Sequence, residues 1–251
     1  MGKIISLLLL CMSLLYAHDS SFKKIFKELD IDGTLIIRSL NSDELYLYNK
    51  KRAGTRFSPA STFKIPHTLI ALNEKLIKSE NDLIQWDGVK REYALWNKDQ
   101  TLQSAIEVSC VWCYKKFTYQ ISKDRYKKYL LEFNYGNKTI GEDKSSFWLN
   151  NDLKISAYEQ IDFLKKLYNY QLPISEKHID ILKKIITIDK TKNYELKAKS
   201  GWDGRTGWYV GYVKTAKDVY FFAMNGVIKK EQLHLRKKIV LQALKSQNII
   251  Q

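Results

Sequence analysis

The sequence predicts an α+β fold: an antiparallel sheet built from both ends of the chain, with a helical lobe inserted between them. Three observations predict it. Strand-forming runs gather at residues 34–49 and again at 194–227, the stretch between them reads as mostly helical, and successive strands are joined by connections short enough for antiparallel neighbours. With 251 residues, 45% of them hydrophobic, the chain can bury one substantial core or two lobes sharing a seam. No repeat, low-complexity segment or Gly/Ser linker divides it.

Met1-Gly2-Lys3 gives a basic start, Ile4 to Tyr16 an apolar run too short to span a bilayer, and Ala17 a small residue before polar His18-Asp19-Ser20. Residues 1–17 are therefore read as a secretory signal, and 18–251 as the mature domain, with no membrane insertion once the signal is removed. Leu10 before Cys11 does not suit a lipoprotein signal.

Residues 34–40 (TLIIRSL) and 44–49 (ELYLYN) flank the polar turn Asn41-Ser42-Asp43 and read as a hairpin. The helical lobe comes next, over about 66–186. Its helices are expected at Pro66–Leu76, from Leu102–Ala105 onward, at Lys123–Phe133 and at Ala157–Tyr168, where Ile161, Leu164 and Tyr168 share a face. Strands return at 194–200 (YELKAKS), 207–215 (GWYVGYVKT) and 218–227 (DVYFFAMNGV). A last helix over 230–247 carries Leu233, Ile239, Val240, Ala243 and Leu244 toward that sheet. The seam between lobe and sheet is where a site belongs.

The formal charge of +15 raises the question of nucleic acid, but the lysines are scattered rather than gathered into an aromatic-flanked patch. The reading is a solvated basic surface, with no nucleic-acid partner. Beyond Cys11, the only cysteines are Cys110 and Cys113, in SCVWCY. Redox chemistry or half a metal site would suit the spacing, yet His67, His178 and His234 offer no ligand spacing. A local disulfide or two packed thiols remain, and no metal is expected.

The stretch 58–66, SPASTFKIP, sets Ser61 and Lys64 three residues apart. Ser58 is expected as N-cap with Pro59 at the first helical position, which puts Ser61 and Lys64 on one face of the first turn, with Pro66 breaking the helix just past them. A serine and a lysine at this spacing are common in helices, so the pair gains meaning only from the other short motifs of the chain and their order. Ser109-Cys110-Val111 lies in the helical insert, Tyr135-Gly136-Asn137 comes next, and Lys199-Ser200-Gly201 ends a strand before a turn. The ordered set S-x-x-K, S-x-[VN], K-[ST]-G belongs to penicillin-recognising serine enzymes.

Here the chain resembles the class D, oxacillinase-type, serine β-lactamases. STFK, SCV, YGN, FWL (Phe147-Trp148-Leu149), KSG, GWYVGYV and LRK (Leu235-Arg236-Lys237) appear in that order across nearly the whole mature chain. Ser200 stands where threonine is more usual, and the cysteines at 110 and 113 are less usual. The resemblance implies the β-lactamase/transpeptidase-like fold, a β-lactam as small-molecule substrate and a periplasmic location. It implies no cofactor beyond N6-carboxylation of Lys64 by carbon dioxide or bicarbonate. Oligomeric state is not legible.

Opening a β-lactam needs a nucleophile, a base, an oxyanion hole, an anion clamp and then an activated water. Ser61 is the expected nucleophile and Lys64 its base. An ordinary lysine is protonated at neutral pH, so Lys64 must be stripped of its charge by burial, for which Phe63, Val111, Trp148 and Leu149 supply an apolar cap. Val111 leaves dry a position where transpeptidases usually carry asparagine. The resemblance implies that the carboxylated Lys64 is held by the Trp148 indole N–H and serves both half-reactions, which removes the need for a second carboxylate; Glu142 and Glu159 are read as surface residues. Ser109 would relay the proton to the ring nitrogen. Lys199, Ser200 and Arg236 would bind the substrate carboxylate, with Gly201 beside them, and the Ser61 and Trp202 N–H groups would form the oxyanion hole. Tyr135 and Asn137 are expected on the cleft wall, Tyr135 equally as core. The rivals are a penicillin-binding peptidase or β-lactam sensor that acylates without turnover, a basic binding protein, and a CxxC oxidoreductase.

Overall fold

The computed structural model describes residues 21–251; the secretory signal expected at 1–17 lies outside them. Residues 21–28 form a first helix, α1. The hairpin is β1 (Gly33–Ser39) with β2 (Leu45–Tyr48), and the short α2 (Lys50–Gly54) leads away from the sheet. A 3₁₀ turn over Ala60–Phe63 runs directly into α3 (Lys64–Asn73).

The lobe is not purely helical. After α3 it carries a two-stranded ribbon, β3 (Leu83–Ile84) with β4 (Gln100–Thr101), whose long connection reaches the cleft. Then come α4 (Leu102–Glu107), α5 (Val111–Gln120), α6 (Lys123–Glu132), α7 (Ala157–Tyr168) and α8 (Glu176–Ile185). Short polar caps punctuate them as helix physics requires: Thr101 with Ser104 for α4, Ser122 for α6, Ser156 with Glu159 for α7, Ser175 for α8.

The chain returns to the sheet as β5 (Thr187–Lys190), β6 (Tyr194–Trp202), β7 (Thr206–Thr215) and β8 (Val219–Val227), and ends in α9 (Leu235–Ser246). The six-stranded sheet has the order β2-β1-β8-β7-β6-β5 with antiparallel neighbours. β8 thus pairs with β1, joining the two ends of the chain. β5 was not foreseen: its exposed, charged IDK tail gives an edge strand no alternating signal.

Side chains alternate across the sheet and divide two cores. Trp208, Val210 and Tyr212 of β7 face the helical lobe, whereas Tyr209 and Val213 face α1 and α9. The last helix begins five residues later than its hydrophobic pattern suggests. Lys230–Gln232 instead forms a separate 3₁₀ turn, which carries residues 230–233 over the cleft. No helix of the described residues is long and apolar enough to cross a membrane.

Candidate active site

The segment leading to Ser61 is fixed from both sides. Phe57 and Ile155 exchange backbone hydrogen bonds of 3.0 and 2.8 Å. The Ser58 hydroxyl donates to the Trp148 carbonyl (2.8 Å), while the Ser58 carbonyl accepts from the Trp208 indole (2.8 Å). Ser58 is therefore not the N-cap expected of it; its hydroxyl is taken by the 147–149 loop, and the 3₁₀ turn has no side-chain cap. Ala60 adopts φ 47°, a left-handed conformation that costs a residue with a Cβ about 1–2 kcal/mol. The change from 3₁₀ to α-helix falls at Phe63–Lys64, before Pro66 rather than after it. Pro66 is the third residue of α3, where the missing N–H has no helical partner to lose. Because residues three apart eclipse one another in a 3₁₀ turn, Ser61 and Lys64 fall on one side, and Lys64 Nζ donates to Ser61 Oγ at 3.1 Å.

Lys64 is completely buried. Burial, reinforced by the nearby charge of Lys199, holds its amine well below the ordinary lysine range. The Tyr114 ring centroid lies 5.0 Å from its Nζ, and Trp148 stacks at 5.9 Å on Phe63, the residue before it. His67, one helical turn on, is also fully buried. Its Nε2 is 2.6 Å from the Tyr126 hydroxyl, and burial above all pushes it to about 3, so it is neutral. Trp148 is fully buried, yet its Nε1–H has no hydrogen-bond partner among the described residues.

Ser109 sits at the end of α4. The Ser109 N–H bonds the Ile106 carbonyl (3.3 Å) and the Cys110 N–H bonds the Ala105 carbonyl (2.8 Å), the paired bonds of a Schellman motif, with Ser109 at φ 53° in the position that usually takes glycine. Its hydroxyl accepts from Lys199 Nζ at 2.5 Å. Lys199 is 6% exposed, and burial, with a further push from Arg236, lowers it to about 7. Gly201 lets β6 approach the nucleophile segment: a Cβ there would stand 2.9 Å from the Pro59 carbonyl oxygen and 3.1 Å from the Thr62 nitrogen. Gly207 similarly makes room for Ile228 and for Arg236 Cδ. The Arg236 guanidinium donates through Nε to the Leu233 carbonyl (2.7 Å) and through Nη1 to the Gly201 carbonyl (2.7 Å), which aims it along the end of β6. Partial burial lowers it to about 10, still cationic at neutral pH. The Trp202 indole donates to the Ile228 carbonyl (2.8 Å).

These groups meet at a cleft of about 700 Å³, whose lining includes Ser61, Ser109, Val111, Ser200, Gly201, Trp202 and Arg236. Lys64 and Lys199 stand behind the surface. Four residues expected in the pocket are not on its lining. Phe63 is fully buried among Tyr135, Phe147 and Trp148, and Leu149 is half-buried against the lobe core. Tyr135 is fully buried, edge-on to Phe63 and Phe163. Asn137 spends its side chain on the Lys154 N–H and the Asp152 carbonyl, closing a loop. Glu159 is engaged by the α7 cap and by Arg56 at 2.5 Å. Sequence reasoning missed the far wall, Arg91 to Tyr93 with Trp96, because it lies in an irregular connection without a motif. It also missed Tyr114 and His67; the three-residue spacing from Val111 and from Lys64 was the available signal. Cys110 and Cys113 form a disulfide.

A serine with a fully buried lysine at hydrogen-bond distance, a second serine joined to a lysine on a sheet edge, and an arginine aimed along that edge define a serine enzyme of the penicillin-recognising class. Residues 28–245 match the penicillin binding protein transpeptidase domain, and the chain belongs to that family. β-Lactamase OXA-20 of Pseudomonas aeruginosa is 39% identical over 238 residues, 93% of this chain and 90% of that protein. β-Lactamase OXA-48 of Klebsiella pneumoniae is 38% identical over 240 residues, covering 94% and 91%. The crystal structure of a class D β-lactamase from Sebaldella termitidis superposes with a TM-score of 0.88 at 41% identity, covering 92% of this chain and 96% of that one. Within the transpeptidase family the chain is a class D serine β-lactamase.

Proposed function

We propose that the enzyme hydrolyses β-lactams through an acyl-enzyme on Ser61, with Lys64 in its N6-carboxylated form as general base for both half-reactions. The observation that carries this reading is the pairing of a fully buried Lys64, 3.1 Å from Ser61 and with its pKa well below the ordinary lysine range, with an unpartnered buried indole N–H on Trp148. A neutral amine can add carbon dioxide, and a buried donor without an acceptor is rare enough to need a reason. The residues fit the group: Trp148 Nε1 would donate to it and the aromatic walls would keep it dry. Once formed, the carbamate supplies a carboxylate that takes the proton of Ser61 and later that of the hydrolytic water.

The chain's own residues do the remainder. The fixed 58–61 segment presents the Ser61 oxygen to the lactam carbonyl, and its N–H with that of Trp202 faces the developing oxyanion. Lys199, sharing a hydrogen bond with Ser109, delivers a proton through that hydroxyl to the departing ring nitrogen. Arg236 and Ser200 hold the substrate carboxylate, the guanidinium as a planar fork. Export to the periplasm and a role in β-lactam resistance complete the proposal; the basic, apolar N-terminal stretch supports the first.

Purified protein given nitrocefin tests it. Many turnovers per active site are expected. One equivalent of acylation without release would instead establish a penicillin-binding peptidase or sensor.

A further inference from the structure

The disulfide lies inside the active-site motif, since Cys110 separates Ser109 from Val111 and is bonded to Cys113 across the first turn of α5. Both cysteines are fully buried. Ser109 occupies a left-handed backbone conformation with a side chain that disfavours it, at a corner where two helices meet. Such a conformation persists only where its surroundings over-determine it. On the α4 side, the paired Schellman bonds do so. On the α5 side, Cys110 is the N-cap residue, and the covalent link ties it to the helix it starts.

The same turn holds the far wall of the cleft. Trp112, between the two cysteines, donates from Nε1 to the Trp96 carbonyl (2.9 Å), and Trp96 donates from its own Nε1 to the Val108 carbonyl (2.9 Å). This two-bond relay closes a ring through Ser109: Trp112 to Trp96, Trp96 to Val108, and back along the backbone through Ser109 and Cys110. Freeing the turn would loosen that ring where the Ser109 hydroxyl meets Lys199.

We infer that the Cys110–Cys113 disulfide is a positioning element for catalysis, holding Ser109 in register with Lys199 and bracing the Trp96 wall, and that the enzyme reaches full acylation activity only with this bond formed. The inference rests on the proton-relay role given to Ser109 above. That role belongs to acylation, where the ring nitrogen departs, and not to hydrolysis of the acyl-enzyme. Loss of the disulfide therefore slows one half-reaction selectively, which a loss of folded protein would not do.

The test measures single-turnover acylation and deacylation for the oxidised protein, for Cys110→Ala/Cys113→Ala and for Cys110→Ser/Cys113→Ser. The wild type treated with a phosphine reductant is a fourth arm, its thiols counted after a denaturing quench. Active-site titration normalises each sample. The expected result is a fall in acylation of about tenfold, the lower end of what a positioned proton-transfer group contributes being ~100-fold. Deacylation should stay within about twofold, and the reductant should leave the double variants unaffected. Unchanged acylation without the disulfide would overturn the inference, and so would acylation, deacylation and titre falling together. If the phosphine does not reach the buried bond, the double variants decide. Oxidised protein that acylates but never turns over would instead refute the hydrolase reading, leaving the acylation comparison intact.

Discussion

Trp148→Phe separates the two things the indole does. The ring packs: it is fully buried, stacks on Phe63 at 5.9 Å and meets His67 and Phe147 edge-on at 5.2 Å. The N–H has no partner among the described residues. In buffer stripped of carbon dioxide, removing an unsatisfied buried donor relieves about 1–3 kcal/mol. The smaller ring leaves a cavity costing on the order of 1–2 kcal/mol. The two nearly cancel, so the unmodified variant should melt within a few degrees of wild type, at roughly 2–4 °C per kcal/mol for a chain of this size. Bicarbonate then distinguishes them. At a hundred times its dissociation constant it should stabilise wild type by about 2.7 kcal/mol. The variant, lacking a hydrogen bond to a charged group worth about 1.5–3 kcal/mol, should need roughly 10–150 times more bicarbonate for the same gain. Thermal melts against bicarbonate, paired with ¹³C NMR of the labelled carbamate, measure both quantities. Equal bicarbonate dependence in the two proteins would refute the assignment of Trp148 Nε1 as the group's donor.

Three further substitutions probe the strained and discharged groups. Ser109→Gly relieves about 1–2 kcal/mol of strain at φ 53° but takes an acceptor from buried Lys199 at about 1–3 kcal/mol. It should therefore be less destabilising than Ser109→Ala, which loses the same hydroxyl and keeps the strain, while both lower acylation by about 100-fold or more; equal melting temperatures for the two would count against the strain argument. Gly201→Ala forces a Cβ to within 2.9 Å of the Pro59 carbonyl and should cost about 1–3 kcal/mol with a loss of kcat; urea unfolding and rates both at wild-type values would disprove the close approach. Lys199 is depressed to about 7 in the folded protein, so the unfolded chain binds the extra proton between pH 7 and the ordinary lysine value. Its burial penalty is full below pH 7 and is relieved as pH rises. From pH 7 to 9, wild type should therefore gain up to about 2.7 kcal/mol relative to Lys199→Met, at about 1.36 kcal/mol per unit; parallel urea-stability profiles would contradict this.

The hairpin, the three long strands and the motif residues were legible because each is a local pattern: alternation, a turn, a short signature. Trp208 and Tyr209 show why the sheet was easy, since neighbours in sequence must go to opposite cores. The nucleophile segment was read less well for a physical reason. Ser58, Pro59 and Pro66 fit a helix start, but the Ser58 hydroxyl finds a better acceptor in Trp148, ninety residues away, and the turn tightens to 3₁₀ before Lys64. The motif sets Tyr135 on the cleft wall or equally in the core, and packing against Phe63 and Phe163 decides for the core; it sets Asn137 on the wall, whereas the Asp152–Lys154 backbone takes its side chain. The Trp96 wall carries no periodic signal because a single 3₁₀ turn, Ala94–Trp96, and indole-to-carbonyl bonds hold it.

Some of the costly conformations and charges of this protein fall within a few residues of the reacting atoms. Ala60 and Ser109 are left-handed with side chains attached, Lys64 and Lys199 are buried amines, and Trp148 holds an unmet donor. None of these helps the chain fold. Each is over-determined by a neighbour that does: Trp208 clamps Ser58, the Schellman bonds and the disulfide hold Ser109, and the aromatic packing of Phe63, His67, Phe147 and Trp148 keeps water from Lys64. The division of labour comes from the chemistry. A serine becomes nucleophilic only beside a base that has lost its charge, and that loss requires a dry, rigid enclosure whose stability must come from groups that take no part in the reaction.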